Sequence, residues 1–293
     1  MYVSIMPSYY CNANCDYCYL GNLVRNKTLL NLKVLKRMLI QLSNTQKDLN
    51  VCVYGGEISL LDESYLDELF SICKQFTSKI SVVSNFTKPD IATICERNNV
   101  KLGISLNVER KINASVEKKL LKHKPKTALS IVVLPSVLNK SPNQVLEYCA
   151  QFKPESVRFI QYSNSVLAKK QYNIANKEFE DFLIAIHGCY SENAYSFKIE
   201  NFEHVIKNPL AMDCIFITPN NKFAQVVFTE RNEEFFVEFD SLLEYNKFCM
   251  KEIAIKKQCL YCKYLKTKCA ADHLKHKPSN DICNGLLRLS ELL

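Results

Sequence analysis
The chain has 293 residues, 47% of them hydrophobic, a formal net charge of +8 and fourteen cysteines. This is enough apolar material for one large domain, or a domain with a smaller appendage, and it excludes a disordered or low-complexity chain. No apolar run approaches a membrane span and no basic segment opens an N-terminal signal, so a cytoplasmic protein with no membrane partner is expected, its cysteines suited to metal ligation more than to disulfides.

The positive balance suggests an anionic partner, but metal-bound thiolates would be ionised and would lower it. The lysines are scattered, with mild clusters only at 118–126 and 251–268, and do not form the basic stripe that nucleic acid requires.

In chain order, residues 2–6 are an apolar run that reads as a buried strand. It leads into Cys11-Asn12-Ala13-Asn14-Cys15-Asp16-Tyr17-Cys18, a polar loop with cysteines spaced C-x3-C-x2-C. Three thiolates on one loop can hold three corners of a cubane iron–sulfur cluster and leave the fourth iron open to a small molecule. Structural zinc is the competing reading, but it wants a fourth ligand nearby, and no His or Cys follows within thirty residues. Three buried thiols are the remaining alternative, and so polar a loop is a poor place for core packing.

Helical spacing of Leu32, Leu35 and Leu39 predicts a helix over 29–42, and 51–54 reads as a strand stopped by Gly55-Gly56. Those glycines allow close backbone approach, and the Glu57 carboxylate can accept from an ammonium group, although the tripeptide alone is also an ordinary turn. A helix over 61–76 and a strand over 80–83 follow, the strand ending at Ser84-Asn85. A short helix, a strand over 102–106 that carries Ser105 and ends at Asn107, a helix over 113–122, a strand over 129–134 and a helix over 142–152 come next. A sixth strand over 157–162 and a long helix over 176–187 complete the series. Continuous apolar strands alternating with amphipathic helices predict a parallel sheet, and six units predict a partial (β/α)6 TIM barrel, an α/β fold with its reactive groups at the C-terminal strand ends.

The pattern then changes, so residues 1–205 are expected to form the barrel and 206–293 an α+β domain. Short strands are predicted over 214–218, 222–228 and 235–239, antiparallel to one another, with a helix from 241 to 249. Cys259, Cys262, Cys269 and Cys283 then form a C-x2-C-x6-C-x13-C array, a metal-site pattern whose spacing does not separate zinc from iron–sulfur. Cys52, Cys73, Cys95, Cys149 and Cys189 lie in apolar patterns and read as core residues, and His187, His204 and His276 have no partner at ligand spacing.

The opening loop, with an aromatic before its third cysteine, resembles that of the radical S-adenosylmethionine (radical SAM) superfamily, and Gly55-Gly56-Glu57 one strand later resembles its GGE motif. The resemblance implies that Cys11, Cys15 and Cys18 hold a 4Fe–4S cluster whose open iron chelates S-adenosylmethionine, with Tyr17 beside that cofactor. It further implies that Gly55, Gly56 and Glu57 hold the cofactor's amino group, and that Ser84, Asn85, Ser105 and Asn107 contact its methionyl or ribose groups. Asn107 departs from the Ser-x-Asp common in relatives, and the sixth strand is expected to reach the adenine. The C-terminal array resembles the SPASM extension, implying one auxiliary 4Fe–4S cluster on Cys259, Cys262, Cys269 and Cys283. A second such cluster is expected to be lost, because Val226-Val227-Phe228 and His273 stand where relatives carry cysteines.

Enzymes of this kind generate a 5′-deoxyadenosyl radical and abstract hydrogen, and SPASM-type members mostly modify peptides. The expectation is therefore a maturase acting on a ribosomal precursor peptide and reduced by a flavodoxin or ferredoxin. Because the first strand opens the chain, leader recognition is expected to be direct or through another protein. Asp213-Cys214 offers a free thiol that could return a hydrogen atom, which puts Cα epimerisation ahead of thioether or carbon–carbon crosslinking; Cys214 reads equally well as a small buried hydrophobe. Sulfatase-maturase-like protein oxidation, and a non-catalytic iron–sulfur or zinc scaffold binding an anionic partner, are the alternatives.

Overall fold
The computed structural model describes residues 1–107, 113–162, 165, 167–191, 194–203, 214–226, 236–255, 289 and 292. Strand–helix alternation runs through the first part: β1 (Tyr2–Ile5), α1 (Leu32–Thr45), β2 (Asn50–Val53), α2 (Glu63–Lys74), β3 (Ile80–Ser84), α3 (Ile91–Arg97), β4 (Lys101–Ser105) and α4 (Asn113–His123). Then come β5 (Ala128–Val133), a one-turn α5 (Pro135–Leu138), α6 (Pro142–Ala150), β6 (Ser156–Gln161), α7 (Asn176–Cys189), β7 (Lys198–Ile199) and α8 (Glu200–Glu203). The last described elements are β8 (Cys214–Ile217), β9 (Phe223–Val226), β10 (Phe236–Phe239) and α9 (Leu242–Ile255).

Local chemistry accounts for these elements. The Asn31 side chain caps α1 by accepting from Lys33 N and Val34 N, and Leu32, Leu35, Met38, Leu39 and Leu42 form its buried stripe. Ser141 and Gln144 form a capping box on α6, with Pro142 in the first turn. Along the strands, Val3 and Ile5, Val51 and Val53, Ile80 and Val82, Leu129 and Ile131, and Val157 and Phe159 join the helices in one core. A strand alternates faces with period two, so Ser4, Cys52, Ser81, Ser105, Ser130 and Arg158 turn the other way.

The strand order is β10-β9-β8-β1-β2-β3-β4-β5-β6-β7 in one sheet, parallel from β8 through β7. Helices cover one face, as a partial barrel requires, and the sheet stays open because β10 and β7 end it without pairing to each other. It is nevertheless curled. Arg158 on β6 acts electrostatically on Cys52 of β2 and on Tyr54 just past it, whereas flat strands about 4.8 Å apart would hold β2 and β6 roughly 19 Å apart.

The strands near the C-terminus are indeed antiparallel to one another, but they do not form a sheet of their own. β8 pairs in parallel with β1, placing Tyr2 opposite Cys214 and Ile5 opposite Ile217. The free edge of β1 has backbone donors and acceptors that need partners, and β8 supplies them. The boundary expected at 205/206 lies outside the described residues. Two cysteines depart from the expected core packing: Cys189, at the end of α7, is exposed, and Cys52 is half-buried on the concave face. Cys73, Cys95 and Cys149 are buried as expected.

Candidate functional site
Because β1 to β6 run parallel, the segments that follow them gather at one end of the sheet. The loop after β1 is tied down from several sides. Cys11 N donates to Val24 O (3.0 Å), Cys18 N to Cys15 O (3.1 Å), and Gly21 N to Cys18 O (3.0 Å), at the start of the 3-10 turn Gly21–Arg25. Ser165 Oγ donates to Tyr19 O (2.9 Å) and Lys170 N to Asp16 O (2.8 Å), so the segment after β6 braces the same loop.

The segment after β2 lies directly against the approach to this loop. Gly56 N donates to Ser8 O (2.9 Å) and Glu57 N to Tyr10 O (2.8 Å). A Cβ on Gly56 would stand 2.1 Å from Tyr10 O and 2.5 Å from Tyr9 C, and Gly55 adopts φ +138°. Both glycines are therefore required, one for contact and one for conformation.

Glu57 is 3% exposed and its carboxylate is already engaged: Ser84 Oγ donates to Oε1 (2.5 Å), Ser59 N to Oε1 (2.9 Å) and Asn85 N to Oε2 (2.6 Å). A carboxylate offers about four lone-pair sites, so roughly one is left for an ammonium group. Asn85, also buried, accepts from Thr87 N through Oδ1 (3.0 Å), and its Nδ2 donates to Asn12 Oδ1 (3.1 Å) and Cys11 Sγ (3.9 Å).

Cys11, Cys15 and Cys18 are half-buried and form no disulfide among the described residues. Cys11 Sγ also accepts from Ala13 N (3.4 Å). N–H donors aimed at sulfur stabilise a thiolate and suit an iron–sulfur ligand. Among the described residues no group of three or more His, Cys, Asp or Glu is spaced to hold a single ion. A cubane takes its thiolates at separate corners and does not need them to converge on a point. Three thiols on one loop, with N–H donors on Cys11 Sγ, suit such a cluster.

Tyr17 is buried against Leu134 and Tyr162, with Cys15 and Tyr172 packed alongside. Tyr162, just past β6, meets Tyr172 edge-on at 5.4 Å, so an aromatic wall borders the loop on the β5–β6 side. Asn107 Nδ2 donates to Val132 O (3.2 Å) and ties the ends of β4 and β5 together. Ser105, on the concave side, pairs with Ser130, which pairs with Arg158. Cys214 opens β8 with its backbone level with Tyr2, but its side chain packs on the same Met6 and Tyr9 cluster as Cys11 and Cys18, its Sγ 4.0 Å from Ser4 Oγ. Asp213, Cys259, Cys262, Cys269 and Cys283 lie outside the described residues.

Several site residues were not singled out from the sequence: Asn12, which joins Asn85 to the loop, Ser165, and the concave-face set Ser4, Cys52, Tyr54 and Arg158. The period-two pattern could have found the last group, since Cys52 and Arg158 are out of phase with their buried neighbours. Burial pushes the Cys52 thiol and the Tyr54 hydroxyl up, Tyr54 well above its ordinary range, with Cys214 adding to the effect on both. Both groups are therefore neutral hydrogen-bonding groups at neutral pH.

No family model matches the chain. It is 22% identical over 204 residues to a cysteine-type anaerobic sulfatase-maturating enzyme of Clostridium novyi (strain NT); the match covers 59% of this chain and 54% of that protein, so the chain aligns with about half the relative's length. Among solved structures, native anSMEcpe with bound AdoMet and Kp18Cys peptide superposes with a TM-score of 0.71 at 16% identity, covering 100% of this chain and 95% of the other. Streptococcus suis SuiB bound to S-adenosylmethionine gives a TM-score of 0.67 at 16% identity, covering 96% and 76%. The chain shares the fold of these structures.

Proposed function
We propose that this chain is a radical SAM maturase, one that binds a 4Fe–4S cluster and S-adenosylmethionine and modifies a peptide or protein substrate. The observation that carries the reading is the joining of three strand ends: the three-thiol loop, Gly55-Gly56-Glu57 and Ser84-Asn85 are hydrogen-bonded into one unit on a partial-barrel sheet. The bound cluster and cofactor would supply a 5′-deoxyadenosyl radical able to take hydrogen from an unactivated carbon.

The chain's own residues would do the rest. Cys11, Cys15 and Cys18 would ligate the cluster, and the Gly55-Gly56 backbone with the remaining acceptor of Glu57 would receive the cofactor's amino group. Ser84, Asn85, Ser105 and Asn107 border the same space and are proposed contacts to its methionyl and ribose groups, with Tyr17 and Tyr162 as its apolar wall. The concave face, lined by small polar side chains and Arg158, would orient the substrate, since catalysis of this type rests on placing one C–H bond. Residues 206–293 are proposed as the auxiliary domain, with Cys259, Cys262, Cys269 and Cys283 holding its cluster and a flavodoxin or ferredoxin as reductant.

Two finer readings remain in competition. Cα epimerisation with Cys214 as hydrogen donor is supported by a half-buried thiol on the concave side, but Cys214 stands level with Tyr2, three residues or about 10 Å below the end of β1. Sulfatase-maturase-like oxidation is supported by the curated relative and by the anSMEcpe likeness. Anaerobic reconstitution with dithionite and S-adenosylmethionine should yield 5′-deoxyadenosine, abolished by Cys15→Ala; no product from a protein with intact clusters would instead favour a binding scaffold. In deuterated water, epimerisation leaves a peptide product one mass unit heavier per site, whereas a crosslink removes two hydrogens and oxidation of a cysteine to an aldehyde also exchanges its sulfur for oxygen from water, releasing hydrogen sulfide. Full epimerase activity in Cys214→Ala would sink the donor role.

A further inference from the structure
We propose that Asn85 tunes and positions the cluster through Cys11, a role separate from any contact to S-adenosylmethionine, and that Glu57 is the residue that aims it. The inference rests on the cluster reading of the opening loop. Its basis is a continuous chain of short contacts. Glu57 fixes the Asn85 backbone through Oε2 (2.6 Å) and the preceding Ser84 hydroxyl through Oε1 (2.5 Å). Ser84 Oγ in turn accepts from Phe86 N (3.0 Å), and Asn85 Oδ1 accepts from Thr87 N (3.0 Å). Every rotatable part of the Asn85 side chain is thereby set, and its amide hydrogens point at Asn12 Oδ1 (3.1 Å) and Cys11 Sγ (3.9 Å).

The backbone carries a second sign that this aim is imposed. Phe86, fully buried, sits at φ +57°, where a bulky side chain is a true outlier. A turn of that kind persists only when its surroundings over-determine it, and the Glu57 contacts do so. The buried carboxylate thus acts on the cluster loop from a distance, through the turn and the carboxamide.

An N–H donor on a ligating sulfur withdraws charge and favours the reduced cluster, so it raises the reduction potential. Asn85 should hold the cluster at a higher potential than a residue without a donor would. Asn85→Asp keeps the shape and the Oδ1 acceptor for Thr87 N but removes the donor and adds negative charge, and Asn85→Ala removes the donor and the acceptor without adding charge. The measurement is an anaerobic, EPR-monitored redox titration of the reconstituted full chain with no S-adenosylmethionine present, alongside iron content. Cys259→Ala/Cys262→Ala protein isolates the signal of the opening loop. The expected order of potentials is wild type, then Asn85→Ala, then Asn85→Asp lowest, with Asn85→Gln restoring part of the loss. In a Glu57→Gln background the difference in potential between Asn85 and Asn85→Ala should shrink, because the turn that aims the carboxamide then relaxes; an undiminished difference removes Glu57 from that role. A wild-type potential retained at equal iron content in Asn85→Ala overturns the proposal. A wild-type chain that takes up no iron at Cys11, Cys15 and Cys18 would defeat the cluster reading itself, which the iron assay registers separately.

Discussion
Gly56 is the residue on which the junction of two strand ends depends. Its missing side chain leaves room for Tyr10 O, which a Cβ would approach to 2.1 Å, and that neighbour is backbone leading straight into Cys11. Gly56→Ala must displace the loop, at a cost typical of overpacking, about 1–3 kcal/mol. The expected outcome is less iron retained per chain after reconstitution and a lower melting temperature. Gly188 is the control: nothing lies within 4 Å of its Cβ position in α7, so Gly188→Ala should leave iron uptake intact and add up to about 1 kcal/mol of helix stability. Equal iron in the two variants would mean that the close approach is not needed. The glycines were legible in the sequence as permissive residues, but the atom they make room for was not, because it belongs to a segment about forty-five residues away.

At the level of elements, α2, α3 and α6 each bury a thiol against the sheet: Cys73, Cys95 and Cys149. Burial pushes all three up to about 12. A thiol in the unfolded chain ionises near ~8.5, so below that pH both states are protonated and these groups make stability independent of pH. As pH rises past ~8.5 the unfolded state loses protons that the folded state keeps, and stability falls by up to ~1.4 kcal/mol per pH unit per thiol until about 12. Iodoacetamide at pH 9 should accordingly modify exposed Cys189 and spare Cys73, Cys95 and Cys149 until the protein unfolds, as read by peptide mass mapping. Rapid labelling of the buried three in the folded chain would contradict their placement. The helical periodicity marked Cys73, Cys95 and Cys149 correctly; Cys189 misled because it sits in the last turn of α7, where an apolar pattern continues past the edge of the core.

For the whole molecule, the sheet of the described residues joins the three-thiol loop to the strands that precede the C-terminal cysteines, since β1 carries β2 on one edge and β8 on the other. With both proposed clusters loaded, the chain should bind about eight irons, and replacing Cys259, Cys262, Cys269 and Cys283 together should leave about four. Zinc in place of half the iron, measured by elemental analysis, would reverse the auxiliary assignment.

The order of strands and helices was written in the sequence, because period-two and period-3.6 apolar patterns are local consequences of backbone geometry and each can be read within a dozen residues. The three-cysteine spacing and the Gly-Gly-Glu tripeptide were legible for the same reason: the chemistry of a loop is carried by neighbours in the chain. Which edge β8 would occupy, the engagement of Glu57 by Ser84 and Asn85, and the bracing of the opening loop by Ser165 and Lys170 depended on contacts between residues far apart in sequence. Such contacts are selected only when the whole core packs and every buried polar group finds a partner, and no local pattern encodes that choice.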